Sequence, residues 1–188
     1  MTINHPVYIG IDYSMTSPAV CVGDGLSIDN SIIYYYTNNK RLIFENDKIR
    51  GKLQESFDNE QKRFYNITRW VLNILDLYSN VYNISIEGYS FASKGQVFNI
   101  GENTGLVKHY LWMAGYSFDV VAPTTIKKFF TGKGNAKKDL MYRNFVDKTG
   151  YDLAELDSKI FSIDKSPCSD IIDSFAITNY ARSTKEID

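Results

Sequence analysis

The sequence predicts an α/β fold: a mixed five-stranded sheet, made of a three-strand antiparallel meander plus two parallel strands, with helices on both faces. Three observations lead there. Short runs of β-branched and aromatic residues, separated by tight turn chemistry, fill the first third of the chain. From residue 59 the apolar residues recur at three- and four-residue steps, as on a helix face. Two further apolar runs, each of strand length, then alternate with helical stretches, which is how crossover connections are written.

The elements follow in order. Residues 7–12 (VYIGID) form an apolar strand suited to burial on both faces. A polar Ser-Met-Thr-Ser turn leads to a second strand at 18–22. Gly23 to Gly25 mark another turn, and residues 31–37 (SIIYYYT) give a third strand. Residues 38–59 are polar and weakly patterned, with RLIFE at 41–45 as a possible short edge strand. Phe64, Ile67, Val71, Leu72, Leu75 and Tyr78 set an amphipathic helix over about 59–79.

Residues 81–87 (VYNISIE) read as the fourth strand and 101–114 as a helix, in which Gly101 and Gly105 are expected to permit close approach to the sheet. Residues 118–122 make the fifth strand, and Pro123 starts a short helix, TTIKKFF. A further helix spans about 136–149 and is ended by Gly150. The last begins at Ser166-Pro167, read as an N-cap followed by proline in the first turn.

Composition narrows the class. The 188 residues fit one domain, 1–188, with a substantial core. With 44% hydrophobic and 23% charged residues the chain is ordinary for a soluble globular protein, and no apolar run suits a membrane span. No secretion signal is evident, so Cys21 and Cys168 are expected to be reduced core thiols in a reducing, cytoplasmic setting. The net charge of −1 argues against a globally basic nucleic-acid binder, but it hides an asymmetry. Residues 94–148 carry nine Lys or Arg against four acids, and residues 151–188 carry eight acids against four bases.

The acids fall at element ends. Asp12 closes the first strand, Glu87 closes the fourth, and Asp170 and Asp173 share a face at the start of the last helix. Each alone also fits a structural role. Asp12 can cap the turn through Ser14 and Thr16, Glu87 can face solvent, and Asp170 suits the positive end of a helix dipole. Gathered in one cleft, however, the four carboxylates require cations, and Mg²⁺ or Mn²⁺ are the natural oxygen-ligated choices. Two such ions per site would serve phosphodiester hydrolysis, one activating water and one stabilising the leaving 3′-oxygen.

The element order is similar to that of the ribonuclease H-like fold. The segments IGIDYS, ISIEGYSF, PTTIKKFFTGKGNAKKD and SDIIDSFAI resemble the successive motifs of RuvC-type Holliday junction resolvases, over about residues 7–180. The resemblance implies a homodimeric, Mg²⁺-dependent endonuclease that cuts four-way or branched DNA by paired nicks. It implies that Asp12, Glu87, Asp170 and Asp173 are the metal-binding catalytic acids, that Lys127 and Lys138 contact phosphate or stabilise transition-state charge, and that Lys133 and Lys137 add DNA contacts. Phe91, after the catalytic-type glutamate, matches the place of an aromatic that stacks at the junction; a core role fits it equally.

Two departures accompany the resemblance. Tyr13 and Ser14 stand where bacterial members have proline and glycine, and residues 38–59 have no counterpart. These and the short length look more like a virus-encoded relative, which would act in the host cytoplasm. Two other readings share parts of the pattern. A ribonuclease H acting on RNA–DNA hybrids uses the same metals but takes its second acid from a helix. An actin-like sugar kinase or chaperone ATPase has a similar first motif but needs two copies of the fold.

Overall fold

The computed structural model describes residues 6–88 and 97–185. Among these residues the sheet has six strands rather than five: β1 (Val7–Asp12), β2 (Ala19–Gly23), β3 (Ser31–Thr37), β4 (Ile49–Leu53), β5 (Val81–Glu87) and β6 (Phe118–Val121). Their order across the sheet is β4-β3-β2-β1-β5-β6. The first three form the expected antiparallel meander. β5 lies parallel to β1 and β6 parallel to β5, as crossover connections require.

The sixth strand corrects the reading of residues 38–59. RLIFE is not the edge strand. Lys40–Leu42 is a single 3₁₀ turn whose start is capped by Asn39 Oδ1, which accepts from Arg41 N. The chain then folds back, held by the Tyr35 hydroxyl, which donates to Leu42 O (2.6 Å) and accepts from Phe44 N (2.8 Å). Asn46 closes the next turn by accepting from Lys48 N and Ile49 N. β4 then runs parallel to β3. A side chain at Gly51 would lie 2.3 Å from the Tyr35 ring, so this strand passes Tyr35 only as glycine. No two-residue periodicity announces it, because it is short and largely solvent-facing.

Among the described residues, six helices cover the sheet: α1 (Glu60–Leu75), α2 (Val97–Met113), α3 (Pro123–Thr131), α4 (Lys138–Thr149), α5 (Leu153–Leu156) and α6 (Cys168–Ser183). One apolar cluster joins α1 and α2 to the sheet through residues such as Ile9, Ile11, Val71, Leu75, Val107 and Leu111. The other joins α3, α4 and α6 to the opposite face through Cys21, Ile33, Ile126, Phe145, Ile172 and Phe175. Cys21 and Cys168 are both free and buried, and burial pushes each thiol up to about 12. No described helix is long and apolar enough to cross a membrane.

Two helical expectations change. α6 starts at Cys168, with Pro167 rather than Ser166 in the capping position and no side-chain cap. Gly101 and Gly105 do not face the sheet; a side chain added at either meets nothing within 4 Å. α2 packs on its neighbours through Val107 and Leu111 instead, which places the glycines on its outer side.

The contact that positions the site is between α6 and Gly10. A Cβ at Gly10 would lie 2.3 Å from both Ser174 O and Thr178 N, so the helix backbone rests directly on the strand. The adjacent β5 position is Ser85, also small and fully buried. Hydrogen bonds fix the helix there: Thr178 Oγ1 donates to Cys21 O, Asn83 Nδ2 to Ala181 O, and Arg182 Nη1 to Asp24 O. We expect Gly10→Ala to destabilise the fold by about 1–3 kcal/mol through overpacking, read as a Tm lower by roughly 3–10 °C. An unchanged Tm would mean that α6 does not need this close approach.

Candidate active site

Strand and helix geometry bring the acids together from this contact. Ser174 and Thr178 lie level with Gly10, and Asn83, beside Tyr8, holds Ala181. α6 therefore runs antiparallel to β1. Asp12 is two residues beyond Gly10, on the same face and about 6.6 Å further along. Stepping from Ser174 towards the start of α6 at about 1.5 Å per residue meets Asp173 at once and Asp170 after about 6 Å, level with Asp12. Ile11 pairs with Ile86 in parallel register, so Glu87 ends its strand alongside Asp12. Three elements thus deliver four carboxylates to one end of the sheet.

The electrostatics accord with this placement. Asp12 is 7% exposed. Burial holds its carboxyl well above the usual range, and Glu87, Asp170 and Asp173 push it further in the same direction, against Lys138. Glu87 is raised to about 7, chiefly by burial and then by Asp173, with Lys127 opposing. Asp173 is raised to about 6 by burial and Asp170, with Lys127 and Lys138 opposing. Asp170 is raised by burial, while nearby hydroxyls of Ser166, Ser17 and Ser169 and the charge of Lys138 act the other way.

Lys127 and Lys138 both lie near enough to the acids to oppose their raised carboxyls. Lys127 is half-buried on α3, and Lys138 opens α4. Lys138 Nζ donates to Asp164 O (3.0 Å) and to Ser169 Oγ (3.2 Å), and Ser169 Oγ donates to Asp170 Oδ1 (3.3 Å). Lys133 and Lys137 stand exposed between α3 and α4, and neither is among the charges that shift the acids. Lys137 and Lys138 occupy the cap and first position of α4, where the helix dipole disfavours cations. Phe91 and Tyr89 lie outside the described residues, as does His5.

Three contributors were absent from the sequence reading. Gly10 sets how deep α6 lies. Ser169 bridges Lys138 to Asp170, and its position next to that aspartate in CSDIID was the available signal. Ser17 has its Oγ buried without a hydrogen-bond partner, close enough to act on Asp170 although no bond between them closes. No local pattern marks it. Tyr13, immediately after Asp12, is a structural anchor: its hydroxyl bonds Thr68 Oγ1 on α1 (2.8 Å) and donates to Asn103 Oδ1 on α2 (3.2 Å).

Among the described residues, no three His, Cys, Asp or Glu side chains stand at the spacing that holds a single ion. The donor chemistry nevertheless fits a hard divalent cation. All four groups are carboxylates, and Asp170 Oδ2 is buried with no hydrogen-bond partner.

No protein-family model matches the chain, and no curated protein matches it by sequence. Solved structures do. The chain is similar to Thermus thermophilus RuvC, at TM-score 0.60 and 18% identity over 95% of this chain and 96% of that one. It is similar to the T. thermophilus RuvC solved in complex with Holliday junction substrate, at TM-score 0.62 and 19% identity over 96% and 97%. The yeast mitochondrial Holliday junction resolvase matches at TM-score 0.55 and 16% identity, over 91% of this chain and 75% of that one. At these identities the likeness is one of fold, and the mixed sheet with its helices accords with a ribonuclease H-like architecture.

The raised acids imply a pH signature. Between the ordinary carboxyl range and about 6–7 the folded protein holds more protons than the unfolded chain, so stability falls as pH rises through that window. In chelator we expect Tm to be higher near pH 5 than near pH 8. Asp173→Asn should raise Tm at pH 8 and flatten the dependence. A wild-type profile no steeper than that of the variant would contradict the mutual repulsion.

Proposed function

We propose that this protein is a divalent-cation-dependent endonuclease that cleaves four-way DNA junctions by phosphodiester hydrolysis, acting as a homodimer that nicks two opposed strands. The convergence of Asp12, Glu87, Asp170 and Asp173 from β1, β5 and α6, with Lys127 and Lys138 alongside, carries this reading. The likeness of the fold to resolvases, one of them solved on its junction substrate, supports the substrate class.

Each residue has work that its surroundings suit. Asp12, the most enclosed acid, faces the other three and is the central ligand. Glu87, Asp170 and Asp173 complete a set able to hold two cations, which when bound would supply an activated water and charge stabilisation at the leaving 3′-oxygen. Lys138 is steered by Asp164 O and Ser169 towards the acids, where its ammonium can meet phosphate charge that grows in the transition state. Lys127 does the same from the Glu87 side. Lys133 and Lys137 are exposed on the stretch joining α3 and α4, placed for salt-sensitive contact with the DNA backbone.

The test compares four-way junction, linear duplex and RNA–DNA hybrid, in Mg²⁺ and in chelator. Junction cleavage that requires the cation is expected. Cutting in chelator would overturn the mechanism, and preference for hybrid would overturn the substrate. Asp12→Asn should lower the rate by at least about 10²-fold while junction binding persists, and Lys138→Ala by about 10²-fold. Full activity in either variant would remove that residue from its assigned role.

A further inference from the structure

The turn that follows Asp12 is held from outside. Asp12 pairs with Ala19, so residues 13–18 cross from β1 to β2 at the end of the sheet where the acids lie. Within this turn Ser17 N donates to Ser14 Oγ (3.1 Å). Two of its carbonyls are bound by side chains from distant parts of the chain. Gln54 Nε2 donates to Thr16 O (2.9 Å), and Arg63 Nη2 donates to Met15 O (3.1 Å). The same Gln54 amide reaches Tyr36 O (3.3 Å), which ties the turn to the end of β3.

The fold delivers both donors. Ala19 pairs with Tyr35 and Tyr35 with Gly51, so Gln54 lies three residues beyond the level of Asp12. Gln54 N donates to Thr37 O (2.8 Å), which carries the path of β4 over that end of the sheet. Arg63 stands near the start of α1 with its side chain 14% exposed. Its guanidinium lies over the Phe57 ring at 5.1 Å, and its Nε is buried with no hydrogen-bond partner. Enclosing an arginine in this way costs the fold unless its other donors are used, and the Met15 carbonyl uses one.

We propose that Gln54 and Arg63 are positioning residues for the hydrolysis. They clamp residues 13–17 so that Asp12, just before the turn, and Ser17, near its far end, keep their places against the start of α6. Ser17 Oγ is buried near Asp170, so a shift of the turn moves that hydroxyl together with Asp12. Tyr13 anchors the inner side of the same turn on Thr68 and Asn103. Gln54 and Arg63 act through backbone carbonyls of the turn. The weakly patterned stretch at 38–59 thereby gains a purpose, because β4 leads to the glutamine that holds the rim of the site. The positioning role rests on the nuclease reading, whereas the clamp itself does not.

The test reads the clamp and the chemistry separately in the full chain at pH 8. Gln54→Glu keeps the size of the side chain but turns oxygens, in place of an amide N–H, towards the two carbonyls. Gln54 is only partly buried, so this variant should fold. Amide hydrogen exchange at Met15, Thr16 and Ser17 should quicken by about tenfold, with the amides of α6 unchanged. Junction cleavage in Mg²⁺ should lose about 10–10²-fold in kcat, with KM unchanged. Arg63→Ala should behave alike, and Arg63→Lys, which keeps one donor for Met15 O, should recover part of the loss. Wild-type exchange at 13–17 in Gln54→Glu would overturn the clamp, whatever the protein cleaves. Released exchange with full kcat, or a raised KM at unchanged kcat, would overturn the positioning role. Released exchange in a protein whose wild type cuts no junction would uphold the clamp and sink the nuclease reading instead.

Discussion

The close seat of α6 on Gly10 is the contact from which the rest of the site follows. Helices ordinarily pack on a sheet through side chains, and the spacing between them absorbs small errors. Here the backbone of α6 at Ser174 and Thr178 meets the backbone of β1 directly. Rotation and height of the helix are therefore determined together. Towards its N-terminus Asp173, next to Ser174, and Asp170, about one turn on, face the end of β1, and the parallel register of β5 brings Glu87 to the same place. A larger residue at position 10 would lift the helix and spread the carboxylates.

That arrangement works against the stability of the fold. Four acids are gathered where burial and mutual repulsion both disfavour ionisation. Two lysines occupy the start of α4, opposite to what the helix dipole favours. Asp170 Oδ2 and Ser17 Oγ are buried without partners. The acids and the lysines beside them meet at one end of the sheet, although polar atoms without partners also lie elsewhere, at Arg63 Nε, Ser85 Oγ and Asn103 Nδ2. A concentration of this kind is characteristic of sites retained for chemistry rather than for packing.

The outer face of α2 departs from ordinary surface chemistry in a different way. A helix that is apolar on both sides has too little polar surface for one side to face water comfortably. Its inner side is covered by α1 and the sheet, and its outer side presents rings at the ends and glycines between. Tyr13 ties β1 to both α1 and α2 through Thr68 and Asn103. The end of the sheet that carries Asp12 is thereby tied to both helices on that face.

The sequence by itself determined the element order, the three-strand meander, and the four acids as strand-end and helix-start residues. These depend on periodicity and punctuation within a few residues, which are local properties. Only the tertiary structure decided the sixth strand, since β4 is stabilised by Tyr35 and by Gly51 passing beneath its ring rather than by a pattern of its own. The same holds for the direction of Gly101 and Gly105, because glycine carries no side chain to reveal which side of a helix is buried. Ser17 and Ser169 are short polar residues whose roles arise from what lies across from them. Asp12 was legible as a candidate from its place at a strand end, but its company was set by how deeply α6 could descend, and a single missing side chain at Gly10 allowed that depth.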